Sequence, residues 1–161
     1  MIIWNRENLA GRQQPPLQGI DSSMLHRGNT SRSGFQMLCL MLMGMASEIS
    51  YPALPLMAAE AIVSLKRSYP DIALIAAIPF KGQASRFSSY DQKRYDRLLE
   101  VADEVIVLSD CYYPRCFLDR DEFMVNNSSK LIGYYDGREK GGTFYTIRKA
   151  MAQNIPIVNV F

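Results

Sequence analysis

The chain has 161 residues, 48% hydrophobic and 21% charged, which fits one ordinary globular domain and excludes wholesale disorder. Lys and Arg exceed Asp and Glu by 18 to 16, and a net charge of +2 is too small to signal a nucleic-acid or membrane partner. The longest apolar run, Met37 to Met45, is about half of the ~20 residues a membrane span needs. The start, Met1-Ile2-Ile3-Trp4-Asn5-Arg6-Glu7, lacks the pattern of a signal peptide, so a cytoplasmic location is expected.

Three cysteines make a disulfide framework improbable, and the C-x4-C of Cys111 and Cys116 lacks the further ligands of a zinc site, because the single histidine is the distant His26. Reduced thiols and no metal are the expectation. Neither a Walker-type G-x-x-x-x-G-K-[ST] nor a G-x-G-x-x-G occurs, no Ser/His/Asp set can be assembled, and no cofactor is expected.

In chain order, residues 1–35 read as an irregular or disordered N-terminal segment, rich in Asn, Gln, Gly, Arg and Ser and carrying Pro15-Pro16. Residues 36–161 read as a single domain. A strand is expected somewhere within Gln36–Met43, followed by a turn at Gly44, whereas Ser47 to Pro55 has two prolines and no period. From Leu54 the spacing of Leu54, Met57, Ala58, Ala61, Ile62 and Leu65 predicts a helix with Pro55 in its first turn. Ile72 to Ile78 is a continuous apolar run, as a parallel strand covered on both faces would be.

The same unit then recurs. Ser88 with Asp91 forms an S-x-x-D helix start, with Tyr95, Leu98 and Leu99 as its buried stripe and an end near Val101. Glu104 to Leu108 reads as a strand, and a short helix is expected from Asp119 as N-cap. Leu131 to Tyr135 follows as a strand, then a helix over Gly142 to Gln153 with Thr143, Ile147, Ala150 and Met151 on one side. Ile155 to Val160 is the last strand, placed at an edge by Pro156. Strands alternating with helices predict βαβ crossovers, hence an α/β, Rossmann-like three-layer sandwich with a mainly parallel sheet.

In such folds ligands gather beyond the carboxyl ends of the strands. That rule selects the loops Pro79–Ser88, Ser109–Leu118 and Asp136–Gly142, with the turn at Gly44. In the third, Gly141 and Gly142 allow close backbone approach, and Thr143 adds a hydroxyl at a helix start whose amides suit phosphate or carboxylate. The alternative is a tight strand–helix turn with Thr143 as a cap. Lys81, Gln83 and Arg86 follow the first apolar run as polar donors, with Gly82 permitting an unusual turn. Arg120 is a cation where helix dipole logic disfavours one, so it pairs with Asp119, Asp121 or Glu122 or reaches an anion. Lys93, Arg94 and Arg97 alternate with Asp91, Asp96 and Glu100 as a solvated face. Tyr112-Tyr113 and Tyr134-Tyr135 can stack a base or simply pack.

Several motifs arrive together in a familiar order: Ile78-Pro79-Phe80-Lys81-Gly82-Gln83-Ala84-Ser85-Arg86-Phe87, then Tyr95 to Val105, then Arg120 with Phe123-Met124-Val125, then Tyr135-Asp136-Gly137, Gly141-Gly142-Thr143 and Thr146. From about Met57 to Ile157 the chain resembles the YpsA/YoqJ-like branch, of unknown biochemical function, of the SLOG superfamily, which also holds DprA/Smf and the Lonely Guy phosphoribohydrolases. The resemblance implies a Rossmann-like domain that binds or senses a nucleotide or nucleotide-derived small molecule. Its ligand residues would be Gln83, Arg86, Arg120, Gly141, Gly142 and Thr143, with Gly44 at the first turn.

Departures bear on that expectation. The family usually has Arg-Asn where Arg120-Asp121 stands here, and a carboxylate at 121 weakens anion binding unless Arg120 neutralises it. Nothing matches the family's opening T-G-H-R-P, and Gly44-Met45-Ala46-Ser47-Glu48-Ile49-Ser50 keeps only the start of its G-M-A-x-G-x-D turn. One hypothesis is an altered reading frame at the front, which a transcript without T-G-H-R-P in any frame would exclude.

Two further activities follow from the wider superfamily. A Lonely Guy-type phosphoribohydrolase would need glutamates after the glycine turn, where Phe144-Tyr145-Thr146 stands, so catalysis is disfavoured and no catalytic residue is assigned. A DprA-like DNA-binding role would need a one-sided basic surface, but from Leu54 onward 14 basic residues face 13 acidic ones. The partner expected is a small molecule, not nucleic acid or membrane, and a homo-oligomer stays open.

Overall fold

The structure, a computed structural model, describes residues 2–5, 36–37, 53–70 and 72–161. The expected turn at Gly44 lies outside these residues, as does nearly all of the segment expected to be irregular. Among the described residues six strands and four α-helices follow in the order β1 (Ile2–Asn5), β2 (Gln36–Met37), α1 (Ala53–Leu65), β3 (Ile75–Ile78), α2 (Ser89–Val101), β4 (Glu104–Val107), α3 (Cys116–Asn126), β5 (Lys130–Gly133), α4 (Gly141–Ala152) and β6 (Ile157–Asn159).

Each strand after β2 alternates with a helix, and both β3–β4 and β5–β6 are parallel, Ile75 facing Glu104 and Leu131 facing Ile157 in register. This is the expected α/β alternation. The sheet is divided, however: β3 and β4 form one pair, and β2-β1-β5-β6 form a second sheet in which β1 runs antiparallel to both neighbours. Strand β1 falls inside the stretch expected to be irregular. Its Ile2 and Ile3 pair with Leu131 and Lys130, a long-range contact that local composition does not encode.

β3 shows why the structure has three layers. Ile75 and Ala77 join Met124 and Val125 of α3, Leu131 of β5, and Ile147 and Ala150 of α4 in one core. Leu74 and Ile78 instead join Leu56, Ala59 and Ile62 of α1 with Tyr95 and Leu98 of α2. Alternate side chains therefore enter opposite cores, and the run is apolar throughout because neither face meets water.

Local rules account for several ends. Ser88 caps α2, its Oγ accepting from the Asp91 amide at 3.1 Å. Asp103 accepts from the Leu74 amide at 2.7 Å and from Lys66 at 2.6 Å, tying the end of α1 to the entries of β3 and β4. Arg94 binds Glu60 through both carboxylate oxygens, each at 2.8 Å, and locks α2 onto α1.

Three expectations are corrected. The buried line of α1 is Leu56, Ala59 and Ile62, while Met57 is 59% exposed; α1 is apolar on most sides, so spacing alone could not select the inward face. Helix α3 starts at Cys116, not Asp119. Arg115 sits at the N-cap with φ 83°, and Asp119 occupies the first turn, where it accepts from Tyr113 Oη at 3.0 Å and from Arg115 at 3.3 Å. On α4 the buried positions are Gly142, Thr146, Ile147 and Ala150, with Met151 63% exposed and Thr143 only half-buried.

Candidate functional site

The α4 amino end is the centre of the candidate site. The preceding loop is shaped by Asp136, which accepts from the Arg138 amide at 3.1 Å, and by Tyr135 Oη, which donates to the Arg138 carbonyl at 3.1 Å. Gly141 has φ +87°, a left-handed value that costs an L side chain strain and is free to glycine. Lys140 at the N-cap is extended, and its side chain forms no capping hydrogen bond. The first-turn amides of α4 thus carry the positive end of the helix dipole without a side-chain acceptor at the cap. Gly141 is exposed, and Gly141 and Gly142 border a groove of about 710 Å³ that also meets Leu118, Tyr145 and Lys149.

Gly142 is buried against α3. A Cβ there would stand 3.6 Å from Asp121 Oδ2, and Thr146, one turn further on, places Oγ1 3.2 Å from the same oxygen. Asp121 Oδ1 accepts from Arg120 Nε at 2.8 Å, and both side chains are almost wholly buried. Burial pushes the Asp121 carboxyl above its usual value, against the opposing pull of Arg120 and Thr146. Among the pairings open to Arg120 the structure shows the one with Asp121, and its guanidinium also lies 6.0 Å from the Phe117 ring centre. Charge beside the α4 start is therefore balanced in place: the carboxylate that would repel an anion has a cation bound to it.

Further out, Glu122 on α3 accepts from Lys149 at 2.7 Å and from Tyr145 Oη at 3.2 Å. Lys149 holds the Glu122 carboxyl below its usual range. The α3–α4 pair is thus clamped at a buried Arg120–Asp121–Thr146 contact and at a more exposed Glu122–Lys149 contact.

The loop after β3 is held by contacts of its own. Gly82 has φ +79°, the unusual turn expected of it, and a 3-10 turn follows over Gln83–Arg86. Gln83 Nε2 donates to Tyr95 Oη at 3.2 Å, and Gln92 Nε2 donates to the carbonyls of Ala84 and Phe87 at 3.1 and 3.2 Å, so α2 holds this loop. Arg86 is exposed. Among the described residues no hydrogen bond or ion pair joins Gln83 or Arg86 to the α4 start. Lys81 pairs with Asp110 of the loop after β4.

Sequence reasoning left one feature of this edge open. Phe80, Tyr112 and Phe117 form a cluster of three rings over the carboxyl ends of β3 and β4, with centroids 5.5 Å apart for Phe80–Tyr112 and 5.9 Å for Phe80–Phe117. Tyr112-Tyr113 stands out in the sequence, but the convergence of Tyr112 with Phe80 and Phe117 depends on the parallel pairing of β3 with β4.

Fold and site together define a Rossmann-like α/β domain with a glycine-opened helix start at the carboxyl edge of its strands. Residues 53–156 match the family model described as the YspA SLOG family, under the name YpsA, and the chain belongs to that SLOG family. It is 32% identical over 89 residues to the uncharacterized SPbeta prophage-derived protein YoqJ of Bacillus subtilis, covering 48% of this chain and 52% of that protein. It is 35% identical over 98 residues to the UPF0398 protein ABC2016 of Shouchella clausii, covering 59% and 52% of the two chains. The UPF0398 protein BH1768 of Halalkalibacterium halodurans is 32% identical over 97 residues, covering 59% and 51%. The chain spans about half the length of these curated relatives, all of them bacterial. No helix among the described residues is long and apolar enough to cross a membrane.

Proposed function

We propose that the domain binds, as a sensor and not as a catalyst, a nucleotide or nucleotide-derived small molecule whose phosphate rests on the first-turn amides of α4. The observation that carries this reading is the α4 start itself: an exposed Gly141 in the left-handed region, no side-chain cap, and an adjoining groove. Backbone amides with no acceptor at a helix amino end form a ready anion site. Thr143 supplies a hydroxyl beside them, and Arg120 offsets the Asp121 charge that would otherwise oppose the ligand. The reading assigns direct contact to Gly141, Gly142 and Thr143. Arg120 acts through Asp121, Gln83 ties the neighbouring loop to Tyr95 of α2, and Arg86 stands exposed on that loop. Such a domain would work in the nucleotide-rich cytoplasm.

A phosphoribohydrolase of the Lonely Guy type is less well supported. The Asp121 carboxylate beside Gly142 is buried and held by Arg120 and Thr146, so it is not presented to a sugar. A DprA-like grip on DNA is opposed by the near-even charge from Leu54 onward.

Thermal-shift titration with AMP, ADP-ribose, NAD and ribose 5-phosphate, on wild type and Thr143→Glu, tests the reading. An acidic residue in the first turn suits the helix dipole, so the variant keeps its fold while occupying the anion site. At least one of these compounds should raise the melting temperature of wild type and not of Thr143→Glu. Equal shifts in both proteins, or none in either, would overturn the proposal.

A further inference from the structure

We infer that the rings of Phe80, Tyr112 and Phe117 form a stacking platform for the flat base of that nucleotide, an inference that rests on the function proposed above. Tyr112 is 62% exposed, although two rings flank it. It is nevertheless fixed. Its ring meets Phe80 edge-on at 77° and leans on Phe117 at 57°. The turn before it is closed by Ser109 Oγ, which donates to the Cys111 carbonyl at 2.8 Å. Residue 113 is anchored as well, through Tyr113 Oη donating to Asp119. Edge-on neighbours support a ring while leaving a face open, and a pre-positioned open face is what stacking a base requires.

The aromatic residues nearer the α4 groove are differently employed. Phe144 is stacked on Tyr135 at 19° and has Arg148 over it at 5.5 Å, while Tyr145 has Lys149 over it at 5.6 Å. Their π surfaces are engaged within the protein, which leaves Tyr112 as the better receptor for a base.

Position links the platform to the phosphate end. Phe117 lies four residues before Asp121 on α3, about 6 Å of helical rise, and Asp121 abuts Gly142. The supporting ring and the carboxylate that abuts the α4 start thus stand about one helical turn apart along α3, so one helix carries both ends of the proposed site. This narrows the ligand class to compounds that carry a heteroaromatic base as well as a phosphate.

Isothermal titration of AMP and of ribose 5-phosphate into wild type, Tyr112→Ala, Tyr112→Phe and Thr143→Glu tests the platform. Tyr112→Ala should weaken AMP about tenfold or more, Tyr112→Phe should bind AMP as wild type does, and ribose 5-phosphate should bind all three alike. Thr143→Glu should lose both compounds. If both bind wild type and fail on Thr143→Glu, yet Tyr112→Ala holds AMP unchanged, the platform is refuted and the phosphate site stands. An equal loss of both compounds in Tyr112→Ala also refutes it, because the residue would then only support the loop. If neither compound binds wild type, the function proposed above fails and the platform fails with it.

Discussion

Thr146 of α4 and Asp121 of α3 meet in the buried helix interface, with Oγ1 3.2 Å from Oδ2, while the same hydroxyl lies 2.9 Å from the Gly142 carbonyl oxygen. A single hydroxyl proton cannot serve both acceptors fully. When Asp121 is protonated it can donate to Thr146, which then donates to Gly142, and the conflict disappears. Burial already favours that neutral form by raising the Asp121 pKa.

The pH dependence of stability follows from this raised value. The folded protein holds the Asp121 proton more tightly than the unfolded chain, whose carboxyl titrates near ~3.9. The resulting stabilisation is complete below the unfolded value and is lost as pH rises through the higher folded one. Asp121→Asn has nothing to titrate there, and leaving Arg120 without its carboxylate adds an offset that does not change with pH. The melting temperature of Asp121→Asn minus that of wild type should therefore grow from about pH 4 towards neutrality. A difference that shrinks over this range would contradict the assignment.

Arg120→Met probes the same pair from its other side. Removing the cation strands a buried carboxylate, and breaking a buried pair in this way costs about 3–5 kcal/mol. Chemical denaturation at neutral pH should show that loss, and at acid pH, where Asp121 is neutral, the loss should be smaller.

The two adjacent glycines should respond differently to alanine. At Gly141, with φ +87°, an L side chain costs roughly 1–2 kcal/mol of left-handed strain. At Gly142 a methyl meets Asp121 at ordinary contact distance, 3.6 Å, and the gain in helix propensity, up to ~0.8–1 kcal/mol in a helix interior, opposes any loss. Urea melts should place Gly141→Ala below Gly142→Ala.

Ser88→Ala removes the oxygen that caps α2, and a cost of about 1 kcal/mol is expected. The same melts provide the readout, with Ser88→Thr expected near wild type because threonine keeps both the capping oxygen and the hydroxyl proton that Ser88 donates to Asp91 Oδ2 at 2.8 Å.

Much of this was legible in local sequence. The S-x-x-D start at Ser88 and Asp91, the apolar run Ile72–Ile78 whose second half is β3, and the helix opening at Gly141-Gly142 follow from capping, two-sided burial and glycine permissiveness, each a short-range effect. What was illegible depends on contacts between distant segments. The pairing of Ile2 and Ile3 with β5 is such a case, as is the inward face of α1, an apolar helix whose spacing fits more than one orientation. The sequence marked Arg120 as misplaced by dipole logic and offered Asp121 among its partners. Only the packing of α3 on α4 reveals that this pair is buried and abuts Gly142. Gln83, a polar donor by its loop position, directs its amide Nε2 to Tyr95 Oη on α2, a contact that the sequence does not show.

Amide chemical-shift titration observes directly whether the α4 amides meet an anion. With 15N-labelled protein and AMP, the resonances of Gly141, Gly142 and Thr143 should move together and saturate on one binding curve. If those three stay fixed while AMP binds elsewhere, or if nothing moves at all, the α4 start is a tight turn between strand and helix and has no ligand to hold.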